Sequence, residues 1–150
     1  MTHTLAVNIP HIDYKGLSPL IAVAGGSMVV LMVGLFRGHF VHRVLSPLLA
    51  IASLGAAIGL SIWIWEPGQH KAIVAGALSV DTLALGLSIL FYISGIVAVI
   101  LAMNGRTVRS IGGADMSALL LGSIAGMVVL AEAQNLIVLF VGFELLSIPL

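Results

Sequence analysis

The chain has 150 residues, 60% of them apolar and only 8% charged, and its six basic and six acidic side chains balance to a net charge of zero. An average globular protein is about 45–50% apolar and about 25% charged, and twelve charges cannot cover the surface of so small a soluble body. Composition thus excludes an ordinary cytosolic enzyme, a disordered tail and a nucleic-acid binder, and a mean hydropathy of +1.20 points to a membrane protein.

The first fifteen residues are polar, mixed in charge and interrupted by Pro10. They read as a short arm and not as a signal peptide, which would put a basic stretch before its apolar segment. Uncharged stretches then run over 16–36, 44–65, 82–105 and 116–131. The first three reach the roughly 20 apolar residues that cross a bilayer core. The fourth does so once Ile111 to Ala114 are added, with Asp115 in the first turn facing the positive end of the helix dipole. The expectation is an all-α polytopic membrane protein with helices at about 17–36, 44–65, 82–103 and 112–131. A fifth apolar run, 136–150, is short for a span and ends without a cap or flanking charge, so it reads as a truncated helix of a longer protein.

Connections carry the rest of the topology. Arg37 and Arg43 fall in the first loop and Arg106 and Arg109 in the third, whereas the arm and second loop offer only Lys15 and Lys71. The positive-inside rule places loops one and three in the cytoplasm and the N-terminus outside. Glu66-Pro67-Gly68-Gln69 is a turn, Ala72 to Val80 is a strip fit for a small strand or ribbon at the outer surface, and Asp81 is the expected N-cap of the third helix. Trp63 and Trp65 sit where an aromatic belt would. Glu132, Gln134 and Asn135 read as the outer turn between helices four and five. His39 and His42 read as an interfacial loop, being too few ligands for a metal. The pairs Gly55–Gly59 and Gly122–Gly126 read as tight helix packing.

Glu144 is the charge that this reading places inside a membrane helix. Eight residues after Leu136 it lies about 12 Å along the axis, near the middle of a core about 30 Å thick. A carboxyl there must be protonated, paired with a cation or turned to a wet cavity, and such groups mark proton relays and ion paths. The alternative is a structural hydrogen bond to a neighbouring helix. Ser147 shares its face and is placed to bond the carboxyl, and Pro149, which cannot donate to the Leu145 carbonyl, predicts a kink just beyond it. The hydrophobic segments contain no lysine to pair with Glu144. The absence of cysteine removes disulfides, thiolate nucleophiles and iron–sulfur ligation from this chain.

Ala118 to Leu121, Gly126-Met127 and above all Phe140 to Leu150, which reads F-x-G-x-E-L-L-S-x-P-L, resemble subunit N of bacterial NADH-quinone oxidoreductase, respiratory complex I. The sister subunits M and L and the related cation/proton antiporters usually carry a Trp before this glutamate, where this chain has Phe143. Asp115-Met116-Ser117 departs from the family, which often has Glu followed by aromatics. The resemblance implies an antiporter-like fold of about fourteen helices on inverted repeats. It implies that Glu144 exchanges protons with a lysine two helices later, outside these 150 residues. It also implies a multi-pass protein of the bacterial inner membrane, bound to other membrane subunits and to the lipid bilayer. No cofactor is implied in this chain, because NADH, FMN, iron–sulfur clusters and quinone belong to partner subunits. A cation/proton antiporter subunit and a structural or assembly protein of the membrane are the competing readings.

Overall fold

The computed structural model describes residues 14–36, 44–65, 71–73, 77–104 and 113–148. Among them are five helices and one hairpin: α1 (Tyr14–Gly34), α2 (Ser46–Ile64), β1 (Lys71–Ile73), β2 (Leu78–Val80), α3 (Thr82–Asn104), α4 (Gly113–Glu132) and α5 (Leu136–Ser147). The first four helices are long and apolar enough to cross a membrane, and α5 is a shorter apolar helix. Helices suit that setting because they satisfy every interior backbone group within one segment.

The helix ends follow from local chemistry. α1 begins at Tyr14, so Tyr14 and Lys15 of the expected arm are helical. It also passes through Pro19, which has no N–H for the carbonyl of Lys15. The Ser18 hydroxyl donates to that carbonyl instead, at 2.8 Å. Asp81 caps α3 as expected, its Oδ1 accepting from the Ala84 N–H at 2.7 Å. Asn135 does the same for α5, accepting from the Val138 N–H at 2.8 Å. Pro47 stands in the first turn of α2, where its missing N–H removes no helical bond.

α4 is the most buried of the four long helices and touches all of the others, while α1–α2 and α2–α3 pack as neighbours. The core between them holds Val23 and Val30 of α1, Leu54 and Ala57 of α2, Tyr92 and Val99 of α3, and Leu121 and Val128 of α4. Serines tie the helices together across this core. Ser27 donates to the Ala118 carbonyl at 2.9 Å and Ser53 to the Ala22 carbonyl at 3.1 Å. The opposite surfaces stay apolar and exposed, as at Met28, Met32, Leu90 and Leu101, where lipid tails or further apolar helices lose nothing by contact.

The strip expected between helices two and three is the antiparallel β1–β2 hairpin, with Lys71 opposite Val80 and Ile73 opposite Leu78. It packs Leu78 and Val80 into a second cluster with Leu85, Leu17, Val129 and Val138. Leu78 also bridges to Ala133, and the Gln134 N–H donates to the Ala77 carbonyl at 3.0 Å. The hairpin and the α4–α5 turn therefore lie on the same side of the bundle. The arginines of the first and third loops, together with His39 and His42, lie outside the described residues.

One glycine expectation is corrected. Gly55 and Gly59 have open space where a side chain would point. The buried face of α2 runs through Ala50, Leu54, Ala57 and Ser61, and at about 100° per residue the two glycines fall off that face. Gly126, by contrast, does sit at a tight crossing, and it fixes the position of α5.

Candidate functional site

α5 is held by backbone contact with α4. A Cβ on Gly126 would come within 2.6 Å of the Leu146 nitrogen, and one on Gly142 within 3.1 Å of the Leu130 nitrogen. Close approach of this kind requires glycine, since backbone cannot move aside for a side chain. Ser123 adds a hydrogen bond across the crossing, donating to the Leu146 carbonyl at 3.3 Å. Gly142 is the buried residue of α5, Val138 packs into the cluster that holds Val129 of α4, and Phe140 and Phe143 are exposed.

Glu144, two residues beyond Gly142, is exposed. The Ser147 hydroxyl does not reach the carboxyl. It donates to the backbone carbonyl of Glu144 at 3.1 Å, which also accepts from the Ile148 N–H at 3.0 Å. Ser147 thus braces the turn that carries Glu144 instead of binding the acid itself. Serine hydroxyls in apolar helices turn to a nearby backbone carbonyl when no better acceptor is in reach. Pro149, and with it the expected kink, lies outside the described residues.

The other carboxylate of this helical pair is placed differently from the sequence expectation. Glu132 is the last residue of α4 and not an exposed turn residue, and only 4% of its surface is accessible. Its Oε2 has no hydrogen-bond partner. The Tyr92 hydroxyl of α3 lies near Glu132 and Ser61 of α2, and neither it nor Ser88 Oγ, one turn earlier in α3, meets hydrogen-bond geometry with any partner among the described residues. Ser61 uses its own proton on the Ala57 carbonyl at 2.8 Å. α2, α3 and α4 thus bring Ser61, Tyr92 and Glu132 near one another at the hairpin end of the bundle, with Ser88 one turn from Tyr92 on the buried face of α3. The signal for this in the sequence was a set of isolated polar residues, Ser61, Ser88, Tyr92 and Glu132, at matching depths of otherwise apolar segments.

The chain aligns along almost its full length with proteins named NADH-quinone oxidoreductase subunit N. One from Chloroflexus aggregans is 32% identical over 97% of this chain. One from Roseiflexus castenholzii, named subunit N 2, is 29% identical over 99%. A third, from a Parafrankia species, is 28% identical over 94%. The chain is related to subunit N. It spans 29% of the length of the first two relatives, and no family model matches it.

In this subunit N-like chain the described helical part of the resemblance that runs from Phe140 to Leu150, Phe140 to Ser147, lies in the helix that α4 holds by backbone contact. The helix before them supplies Gly126, the second element of the resemblance, at that contact. Among the described residues no group of three or more His, Cys, Asp or Glu side chains comes together for a metal. A chain without cysteine also has no donor set for an iron–sulfur cluster.

Proposed function

We propose that the chain belongs to a proton-translocating membrane subunit of NADH-quinone oxidoreductase, with Glu144 as a proton-relay carboxyl. The observation that carries this reading is the placement of Glu144. It lies in an apolar helix, on a surface that the described helices leave uncovered, while Gly126, Gly142 and Ser123 fix that helix in register. A membrane carboxyl turned outward from its own bundle needs a partner or water on that side. The resemblance names the partner as a lysine outside these residues. A cation brought close favours the carboxylate, and its withdrawal favours uptake of a proton. Ser147 steadies the turn through the Glu144 carbonyl. Pro149, next but one in the sequence after Ser147, carries no N–H to donate to a helical carbonyl, which supports a weakened backbone near the acid.

In the same reading the neighbours are other membrane subunits of the complex and the surrounding lipid, and the redox groups lie in partner subunits. The protein sits in the bacterial inner membrane with its N-terminus outside. Support for that orientation is the excess of arginine in the first and third loops. The deciding experiment is Glu144→Gln in the full-length subunit within its assembled complex. Proton pumping is expected to fall at least tenfold while assembly is retained, because the amide keeps the shape of the side chain. Undiminished pumping overturns the relay role, and loss of assembly assigns Glu144 a structural role.

A further inference from the structure

The buried polar group at the end of α4 is not part of the relay reading and stands independently of it. We propose that Glu132, Tyr92, Ser88 and Ser61 enclose a water-holding site at which the Glu132 carboxyl exchanges a proton with the enclosed water. The argument begins from burial. Glu132 is 4% accessible, Ser88 1%, and Tyr92 and Ser61 fully enclosed. Three of the four carry a polar atom with no hydrogen-bond partner among the described residues: Glu132 Oε2, Tyr92 OH and Ser88 Oγ. Buried polar atoms are nearly always satisfied, by protein or by ordered water; Tyr92 lies near Glu132, Ser88 is one turn away on the same buried face of α3, and these atoms call for a polar group beside them.

The geometry says where that position lies. A helical side chain leans toward the N-terminus of its helix, so Tyr92 and Ser88, one turn apart on α3, lean toward the end at which α3 begins. That end carries the hairpin and the last turn of α4, where Glu132 sits. Ser61 reaches the same level from the last turn of α2. The Tyr92 hydroxyl thus comes between the Glu132 end of α4 and Ser61 of α2, with Ser88 beside it on α3, and Tyr92 is packed into the main core.

Water fits this set better than a metal cation. Tyr92 and Ser88 each bring one proton to donate as well as lone pairs to offer. A cation accepts no hydrogen bond and would leave those protons dependent on the one carboxyl. A water donates twice and accepts twice, and so can meet the carboxyl and both hydroxyls at once. Once water is present the carboxyl can exchange. Its O–H bond breaks as a new O–H bond forms to the water, giving carboxylate and hydronium side by side, and the reverse step returns a proton to the carboxylate and restores the water. The subunit then has two proton-exchanging carboxyls on consecutive helices, one enclosed and one facing outward.

Infrared difference spectroscopy of the full-length protein in lipid, on transfer from H₂O to D₂O, tests the site. A deuterium-sensitive C=O band of a buried carboxylic acid is expected. The band should vanish in Glu132→Gln, persist in Glu144→Gln, and shift in Tyr92→Phe, which removes one hydroxyl and keeps the ring. An identical band in wild type and Glu132→Gln overturns the proposal. Should Glu132→Gln fail to assemble, an unshifted band in Tyr92→Phe overturns it as well. A density map that resolves water should show a peak within hydrogen-bond distance of Glu132 and Tyr92. A site that is empty in such a map, or a peak whose strength tracks the sodium concentration, also refutes it.

Discussion

Glu132 and Glu144 stand at the two ends of one short connection, on helices whose backbones touch, yet their surroundings are opposite. Glu132, at a helix end, is enclosed by α2, α3 and α4. Glu144, in the last turn of α5, is exposed. Position along the helix does not separate them. What decides is the helix face: α4 is central and buried on several sides, whereas α5 offers the bundle one narrow strip around Gly142. Depth in a membrane and enclosure by protein are separate coordinates.

That contrast can be broken at its hinge. Gly126→Leu would drive a side chain into the backbone of α5, and overpacking against atoms that cannot yield should cost about 3 kcal/mol, read as thermal unfolding of the full-length protein in detergent. It should abolish the placement of Glu144 and leave the Glu132 site formed. A smaller effect separates the two acids directly. Glu132→Ala removes the carboxyl that the enclosed water would meet and should cost about 2 kcal/mol, while Glu144→Ala should change stability by less than about 0.5 kcal/mol yet depress pumping. If both alanine variants melt alike, the distinction between enclosed and outward carboxyl fails. Asn135→Ala removes the cap between them and should cost about 1 kcal/mol, with amide exchange rising first at Val138. Ser123→Ala, which deletes the bond to Leu146, should be the mildest at about 0.6 kcal/mol.

Charge-free runs announced the four long helices, because in lipid a helix must be apolar throughout its span and that requirement is written locally. The cap at Asp81 was legible for the same reason, since a carboxylate before a helical run bonds its own first turn. Pro19 illustrates the limit of the local rule. The helix passes through it because Ser18 serves the orphaned carbonyl, a substitution visible only once the hydroxyl is placed. Gly55 and Gly59 share their spacing with real packing motifs and meet nothing, since spacing says which residues share a face and not where that face looks. Glu132 was misread as a turn residue because Gln134 and Asn135 beside it are turn-like, and its enclosure is made by Tyr92 and Ser61, far away in the chain. Glu144 was legible as an acid in an apolar helix, but the side on which it lies depended on a glycine crossing that pattern alone does not orient.

The stitch between the hairpin and the α4–α5 turn bears on how the protein is made. Strand β2 meets β1 on one edge, and its other edge is completed by Ala133, with Gln134 bonding the adjacent Ala77. Those partners are synthesised after α3 and α4, so the ribbon must wait, half paired, until two more helices have been threaded into the bilayer. Only when the chain returns to the starting side does the seam close. A nascent chain whose fourth helix entered the wrong way would lack these partners and leave β2 with an open edge, the kind of surface on which stray strands pair.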